Sequence, residues 1–387
     1  MSAKTVVIAL LDKVWPPQHS FVDGMLAGVA AQQPDLQVRL CVSRASDRDL
    51  RPRRYRSAAC IPGLYRRRRS GRLWNLWAAM RLIRYQAIRE RERGNRVVLF
   101  VRNDPIYLLA ASLMRGYVDR LVFQSSFPHE EFSGHAVKRG IARLLYRIAG
   151  RRVDAVTGVS PEGVDRVRRL CPSAKVGAHI PLLADLPVTS QARVQSIDPV
   201  VVPIFVYIGT HRPDREIEMI LAGIVRAVAQ GVVARFRFVG ATEADRNRLQ
   251  QVQGVSELME RDIIRLERPV PRDEIPQILS DCDVGVSLIP PKPMYHESSP
   301  TKLAEYMGAG LAVLASRGIP MQERFVMESN GGLLVDWEIA SIAEGIRRLC
   351  ADPNAVATYR ENAANFARRS LQYQSYLPQF RQLIGVA

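Results

Sequence analysis

The chain has 387 residues, of which 47% are hydrophobic and 24% charged, so it can form sizeable cores and is not a disordered polymer. Its length suits two domains of roughly 150–200 residues each, and its net charge of +17 indicates an anionic partner. The five cysteines are scattered without CxxC spacing, which favours buried thiols in a reducing compartment over a disulfide framework or a metal site.

The amino terminus begins with an apolar run, 5–11, that stops at Asp12 and lacks a small-residue cleavage site. This run therefore predicts a first β-strand and not a signal peptide. No window of the sequence reaches the ~18 consecutive apolar residues that a membrane span needs. We expect a cytoplasmic protein that is soluble or is held on a membrane from one side.

Short β-branched runs alternate with amphipathic stretches along nearly the whole chain, the pattern of parallel sheets covered by helices on both faces. In the first half of the chain, the predicted strands are 5–10, 37–42, 97–101, 121–123, 154–159 and 175–180. In the second half, they are 203–208, 235–239, 263–266, 284–288, 311–315 and 332–335. The predicted helices include 106–114, 136–149, 216–229 and 273–279.

Segment 181–203 interrupts this alternation with four prolines separated by polar residues, as interdomain linkers do. We therefore predict an α/β protein of two Rossmann-like, doubly wound domains, one over 1–190 and the other over 200–365. The remaining residues, 366–387, are expected to form a helix that packs back toward the N-terminal domain. Ligands of such sheets bind beyond the carboxyl ends of the strands, which predicts a site in a cleft between the domains.

Arginine residues concentrate in segment 44–96, which holds 17 arginines against four acidic residues, a net charge of +13. Aromatic side chains among basic ones suit a membrane interface, where rings lie at headgroup depth and arginines contact anionic lipid. RNA binding and a solvated charge run are the two alternatives. We predict an anionic membrane surface and no nucleic acid as the partner. The residues expected to contact the membrane or a membrane-bound acceptor are Arg66, Arg67, Arg68, Arg69, Trp74 and Trp77.

A histidine follows the predicted strand 121–123, in the sequence Ser-Phe-Pro-His-Glu. This residue, His129, lies where a loop at the carboxyl end of the strand should open on the site. We take His129 as a candidate catalytic residue, with an exposed loop histidine as the alternative.

The stretch 297–315 predicts a helix whose start binds anions. Ser299 has the side chain of an N-cap, and Pro300 suits the first helical position. The N–H groups of Thr301 and Lys302 would then point out of the helix start, where the positive end of the helix dipole favours a diphosphate. The alternative is a capped surface helix with solvated glutamates, which fits poorly with the apolar residues inside the helix and the Gly-Ala-Gly that ends it.

Glu297 and Glu305 flank this helix start and are separated by seven residues. The spacing resembles the E-x7-E signature of retaining glycosyltransferases of family 4, which have the GT-B fold of two facing Rossmann-like domains. Pro300, Met307 and Gly310 also match the family pattern. Four positions depart from that pattern: Ser298, Tyr306, Gly308 and Ala312. The form S-P-T-K-L-x-E-Y-M resembles a variant found in bacterial polysaccharide enzymes.

A second part of the resemblance follows the strand 203–208. The family has a glycine after this strand and a basic residue about six positions later, and here these are Gly209 and Arg215. Arg215 would bind the donor phosphates, with Arg212 as a second candidate. Thr210 replaces the arginine that often follows the glycine. The alternative for Arg215 is a solvated arginine in the first turn of a helix, an unfavourable place for a cation.

The resemblance implies a nucleotide-diphosphate sugar as donor, bound by domain 200–365, with Glu297 on the sugar hydroxyls and Glu305 on the ribose. It also implies retention of configuration by front-face attack, because no second carboxylate is placed as a nucleophile. No D-x-D aspartate pair occurs in a suitable loop, so we expect neither a metal nor another cofactor.

We therefore predict a glycosyltransferase on the inner face of the plasma membrane. It would move a sugar to a lipid-linked glycan during the synthesis of surface polysaccharide or lipopolysaccharide. A nucleotide-sugar epimerase of the GT-B fold and an RNA-binding protein on a degenerate enzyme fold are the alternatives. The basic aromatic segment argues against the epimerase, and the two glutamates with Arg215 argue against the RNA-binding protein.

Overall fold

A computed structural model describes residues 3–14, 16–17, 19–43, 54–61, 72–128, 136–183 and 202–386. The chain divides into two compact units. Unit 1 comprises Met1–Leu183, Glu297–Ser299 and Tyr373–Ala387. Unit 2 comprises Ala184–His296 and Pro300–Gln372.

Each unit is built around one sheet. The strands of unit 1 are β1 (Thr5–Val14), β2 (Leu36–Ser43), β3 (Arg54–Tyr55), β4 (Ala58–Cys60), β5 (Arg96–Arg102), β6 (Arg120–Ser125), β7 (Ala155–Gly158) and β8 (Val176–His179). The strands of unit 2 are β9 (Ile204–Ile208), β10 (Arg235–Val239), β11 (Ile264–Glu267), β12 (Val284–Ser287), β13 (Ala312–Ser316) and β14 (Gly332–Val335).

Helices connect almost all of these strands. In chain order the α-helices are α1 (Arg72–Glu92), α2 (Pro105–Leu113), α3 (Ala136–Gly150), α4 (Pro161–Leu170), α5 (Ile217–Ala229), α6 (Glu243–Leu249), α7 (Val255–Glu260), α8 (Ile275–Ser280), α9 (Pro293–His296), α10 (Thr301–Gly308), α11 (Pro320–Ser329), α12 (Ile339–Ala351), α13 (Pro353–Ser370) and α14 (Leu377–Ile384). A helix of π type, Phe21–Val29, follows β1. Among the described helices, none combines the length and the apolar composition that crossing a membrane requires.

The sheet of unit 1 has the strand order β3-β4-β2-β1-β5-β6-β7-β8. All neighbouring strands run parallel except β3 and β4, which form an antiparallel pair at the edge. The central strand β1 pairs Thr5 with Leu36 on one side and with Arg96 on the other. The side chains from Val6 to Leu11 are fully buried, since helices cover both faces of the sheet. In the same unit, Arg381 of α14 forms an ion pair of 2.8 Å with Asp35.

The sheet of unit 2 has the order β11-β10-β9-β12-β13-β14 and is parallel throughout. This order is that of the doubly wound nucleotide-binding fold, in which the winding reverses between the first and fourth strands. Phe205 of β9 stacks on Phe236 of β10 in the core, with ring centroids 5.0 Å apart. The loops after β9 and β12 therefore flank the position where sheets of this kind bind ligands.

The predicted fold class is confirmed, because two doubly wound parallel sheets are present. All twelve predicted strands occur with ends shifted by at most a few residues. Strands β3 and β4 were not predicted, because each is very short and lies within or beside the run of arginines, where no apolar alternation is visible. Helix 273–279 is divided into a 3₁₀ turn, Arg272–Glu274, and α8.

Candidate functional site

The loop after β9 approaches α10 very closely at one glycine. Gly209 has φ +141°, and a Cβ added there would lie 2.5 Å from Cε and 2.6 Å from Nζ of Lys302. A side chain at this position would therefore be strained and would displace the lysine. The glycine lets the end of β9 and the first turn of α10 meet, which fixes where the Lys302 ammonium lies.

The Lys302 ammonium lies over an aromatic ring of the same sheet. Its Nζ is 3.7 Å from the ring centroid of Tyr207, a distance suited to a cation–π interaction. Burial lowers the pKa of Lys302 well below its ordinary value, and the positive charge of Arg215 acts in the same direction. The opposite charge of Glu305 only partly offsets these effects. An anionic ligand at this place would restore the charged form of the lysine.

Arg215 lies just before α5, as the predicted helix 216–229 implies, and not in the first helical turn that the alternative assumed. It ends a 3₁₀ turn, Pro213–Arg215, and Glu216 then adopts a left-handed conformation at φ +48° before the helix begins. The guanidinium carbon of Arg215 is 4.7 Å from the ring centroid of Tyr295. Its Nε is buried and has no hydrogen-bond partner within the described residues. A buried donor of this kind is costly unless a ligand accepts its hydrogen bond.

Asp214 holds the neighbours of Arg215 in place. Arg212 donates to both of its carboxylate oxygens, with Nε and Nη2 at 2.8 and 2.7 Å, and the Tyr295 hydroxyl donates to Oδ2 at 2.6 Å. The hydrogen bonds from Arg212, the largest effect, and from Tyr295 lower the pKa of Asp214. Arg212 is thus engaged at the exposed side of the turn, whereas Tyr295 supports Arg215. Thr210 contributes its carbonyl, which accepts from the Tyr207 hydroxyl at 3.1 Å.

Glu305 lies one helical turn after Lys302 on α10. Burial raises the pKa of its carboxyl, and the positive charges of Arg272 and Lys302 oppose this shift. A partly buried carboxyl beside cations suits hydrogen bonds to ligand hydroxyl groups. Lys302, Glu305 and Arg215 all belong to unit 2, so three of the predicted donor-site residues lie within one compact unit.

The predicted cap of α10 is wrong in its details. The helix begins at Thr301, Pro300 occupies the N-cap position, and no side chain caps the helix. The Ser299 hydroxyl instead accepts a hydrogen bond of 3.1 Å from the backbone N–H of Leu182 in unit 1. A serine can cap a helix only when its hydroxyl is free to face the first turn, and here a long-range backbone donor engages it.

Glu297 belongs to unit 1, where it is held on two sides. Its Oε2 accepts from Nε of Arg166 at 2.6 Å, and its carbonyl accepts from the Ser160 hydroxyl at 3.0 Å. Arg166 also donates from Nη2 to Ser125 at 2.7 Å. Ser160 is the N-cap of α4, where its hydroxyl accepts from the N–H of Gly163. The carboxylate therefore has a fixed orientation in unit 1.

Several functional candidates were not found from the sequence. Tyr207 and Tyr295 support the two cations, and Arg166 orients Glu297. The short P-K-P-M-Y-H segment after β12 was the only local signal for Tyr295. Nothing in the sequence near Arg166 relates it to a residue more than one hundred positions away.

The structure describes His129 and the predicted membrane-contact residues only in part. His129 and the run Arg66, Arg67, Arg68, Arg69 lie outside the described residues. Trp74 lies in α1, where its side chain is not described. Trp77 is 48% exposed, and the guanidinium carbon of Arg81 is 4.7 Å from the centroid of its ring.

His211, two residues after Gly209, yields a prediction about acid stability. Its side chain is fully buried, and burial, aided by the charge of Lys302, lowers the pKa from 6.5 to about 4. The folded state thus favours the neutral ring, so stability is lost as the pH falls from the unfolded to the folded pKa. Between about pH 7 and pH 5, we expect the wild type to lose about 1–2 kcal/mol more unfolding free energy than His211→Leu. Denaturant unfolding at both pH values measures this difference, and parallel losses in the two proteins would contradict it.

Residues 202–352 match the family model described as "Glycosyl transferases group 1". Curated protein sequences contain no significant match. The fold is similar to that of sucrose-phosphate synthase from Thermosynechococcus elongatus, at a TM-score of 0.72 and 18% identity over 98% of both chains.

Two further solved structures are similar over nearly their whole length. Anabaena HepE in complex with UDP-glucose has a TM-score of 0.69 and 15% identity, covering 98% of this chain and 99% of HepE. The α,α-trehalose-phosphate synthase (UDP-forming) of Burkholderia xenovorans, in complex with glucose-6-phosphate, has a TM-score of 0.65 and 12% identity, covering 99% and 100%. At these identities the similarity establishes the fold, which is GT-B.

The fold is GT-B, and residues 202–352 match the group 1 glycosyl transferases; together these findings support a glycosyltransferase of the GT-B type. The part that carries Arg215, Lys302 and Glu305 lies within residues 202–352 and has the sequence character of the group 1 glycosyl transferases.

Proposed function

We propose that this protein transfers a sugar from a UDP-sugar to a lipid-linked glycan, with retention of configuration, during the synthesis of surface polysaccharide or lipopolysaccharide. One observation carries the donor part of the proposal. Arg215 and Lys302, each placed over a tyrosine ring, lie at the ligand-binding end of the unit 2 sheet, and the buried Nε of Arg215 has no hydrogen-bond partner within the described residues.

The chemistry of the transfer explains why two fixed cations are needed. Cleavage of the bond between a sugar and a diphosphate leaves negative charge on the departing oxygens. Arg215 and Lys302 are held in place before the ligand arrives, so they stabilise this charge without reorganisation. The backbone N–H groups at the start of α10 add donors for the phosphates.

Two carboxylates take the remaining roles. Glu305 accepts hydrogen bonds from the ribose hydroxyls, because it lies one turn beyond Lys302 on the same helix. Glu297 accepts from the hydroxyls of the transferred sugar, and its ion pair with Arg166 keeps it oriented. The reaction proceeds by front-face attack, in which the departing phosphate accepts the proton of the acceptor hydroxyl.

UDP is the nucleotide that the structural comparisons favour. HepE was solved with UDP and with UDP-glucose, and the trehalose-phosphate synthases are named as UDP-forming enzymes. The lipid-linked acceptor and the location on the inner face of the plasma membrane are supported by the basic aromatic segment 44–96.

A nucleotide-sugar screen tests the donor. Thermal unfolding should shift upward with UDP and with one or more UDP-sugars, and less with the ADP, GDP and CMP counterparts, because ligand binding stabilises the folded state. NMR of the product formed from the best donor should then show the anomeric configuration of that donor. Absence of any nucleotide-dependent shift, or a product of inverted configuration, would contradict the proposal.

Metal independence is a separate prediction. We expect turnover to continue in excess EDTA, because Arg215 and Lys302 supply the positive charge that a divalent cation would otherwise supply to the diphosphate. Initial rates with and without EDTA, and after adding Mg²⁺ or Mn²⁺, measure this. A rate that EDTA abolishes and Mg²⁺ restores would show that a metal takes part.

A further inference from the structure

The helices α1, α2 and α3 of unit 1 carry most of the exposed large apolar side chains. Helix α2 packs against both α1 and α3, so the three form one layer on the sheet. Within the described residues, only Val233, Met327 and Ile339 are large exposed apolar residues outside this layer. The exposed large apolar residues of this helical layer are Trp77, Tyr85, Ile88, Leu113, Val137, Ile141, Leu144 and Ile148.

Four of these residues form a continuous line on α3. Val137, Ile141, Leu144 and Ile148 follow one another at intervals of four, three and four residues, which places them on one side of a helix. We refer to these four residues as the α3 stripe. Each of them is between 50% and 74% exposed. A single exposed leucine needs no explanation, but an ordered line on one helix side marks an interaction surface.

The stripe points away from the core of unit 1. The opposite side of α3 carries the buried residues Ala142, Tyr146, Ala149 and Gly150. Tyr146 contacts Phe123 of β6, with ring centroids 5.6 Å apart, so this side packs on the sheet. Helix α3 is thus apolar on two sides, and core packing accounts for only one of them.

Basic residues border the stripe. Lys138, Arg147 and Arg151 are exposed beside it, and the segment 136–152 contains no acidic residue. On α1, the guanidinium carbons of Arg81 and Arg89 lie 4.7 and 5.5 Å from the ring centroids of Trp77 and Tyr85. Aliphatic residues between cations, beside aromatic rings paired with arginines, have the composition of helices that lie in a lipid headgroup region.

We propose that the outer face of α1–α3 docks on an anionic phospholipid bilayer, with the α3 stripe inserted among the lipids and its basic neighbours against the headgroups. This inference rests on the proposed function for the presence of a membrane-bound acceptor. It assigns the insertion to α3, which the sequence did not single out, whereas α1 lies within the predicted contact segment 44–96. The absence of acidic residues from segment 136–152 favours anionic lipid over a protein surface of mixed charge.

Vesicle co-sedimentation with purified full-length protein tests the surface. Wild type should pellet with vesicles of phosphatidylcholine and phosphatidylglycerol, and much less with phosphatidylcholine alone. The variant Ile141→Ser/Leu144→Ser/Ile148→Ser should bind on the order of 10-fold more weakly at physiological salt, where the apolar contribution dominates. The matched control is Val233→Ser/Met327→Ser/Ile339→Ser, which removes three exposed apolar side chains from unit 2 and should bind like wild type.

A second pair of variants tests the charge. Lys138→Gln/Arg147→Gln/Arg151→Gln should weaken binding at low salt on the order of 100-fold, since each basic residue near an anionic surface contributes separately. Its control is Arg226→Gln/Arg235→Gln/Arg348→Gln, which removes three exposed arginines of unit 2. UDP thermal shift and circular dichroism of every variant verify folding, and they report on the donor site independently of the membrane.

The outcomes separate the inference from the proposed function. Equal pelleting of wild type and the stripe variant would overturn the inference, whatever the UDP shift. So would a wild type that binds no vesicle but forms dimers which the stripe substitutions dissociate. If only Arg66–Arg69→Gln releases the protein, segment 44–96 is the anchor and the inference fails. Lost UDP binding with intact vesicle binding would contradict the proposed function alone.

Discussion

Arg215→Ala should lower turnover by on the order of 100-fold or more while leaving the protein folded. The arginine is held over Tyr295, and its buried Nε has no partner within the described residues, so truncation removes a preorganised donor and breaks no hydrogen bond that holds the structure. Because the negative charge on the diphosphate increases as the glycosidic bond breaks, the loss should be larger in kcat than in the affinity for UDP.

The control for this variant is Arg226→Ala, which removes an exposed arginine from α5. Both proteins should show the thermal unfolding of the wild type, and only Arg215→Ala should lose turnover. A kcat within a few-fold of wild type for Arg215→Ala would exclude this arginine as the phosphate ligand, and Arg212 would then be the next residue to test.

Glu297→Ala should also lower turnover by on the order of 100-fold, with UDP binding nearly unchanged. The carboxylate would contact the transferred sugar and not the nucleotide, so its loss should affect the UDP-sugar complex and not the UDP complex. The substitution also leaves Arg166 without its 2.6 Å partner, which adds a cost to stability.

Glu297→Gln separates the two effects, because an amide keeps one hydrogen-bond acceptor for Arg166 but lacks the charge. We expect Glu297→Gln to unfold closer to wild type than Glu297→Ala and to remain poorly active. Glu344→Ala, at an exposed ion pair with Arg347, is the matched control and should retain activity. Full turnover in Glu297→Gln would show that the negative charge has no role in the transfer.

Local sequence patterns were sufficient to predict the sheets. Most of the central strands, such as β1, β5, β12 and β13, are buried on both faces, so each reads as a short apolar run that needs no distant information. The prediction was wrong where a distant partner decides the outcome. Ser299 has the side chain of a cap, but the N–H of Leu182 engages its hydroxyl.

The candidate site was predictable only in part for the same reason. The spacing of Glu297 and Glu305 and the position of Arg215 follow from motifs. The tyrosines beneath the two cations and the pairing of Arg166 with Glu297 arise only when separate loops come together. The apolar periodicity of α3 was visible in the sequence, but its two apolar sides could be assigned to core and surface only from the burial of Tyr146 and the exposure of Ile141.

The environment of Lys302 couples donor binding to a proton. In the empty site, burial and the neighbouring charge of Arg215 hold the pKa of the lysine well below its ordinary value, so the neutral amine gains population. A bound diphosphate reverses this preference and draws a proton from the solvent. The affinity for the donor should therefore decline as the pH rises through the pKa of the empty site. The heat of binding should also depend on the ionisation enthalpy of the buffer, because this lysine takes up a proton when the donor binds, before any glycosidic bond is broken.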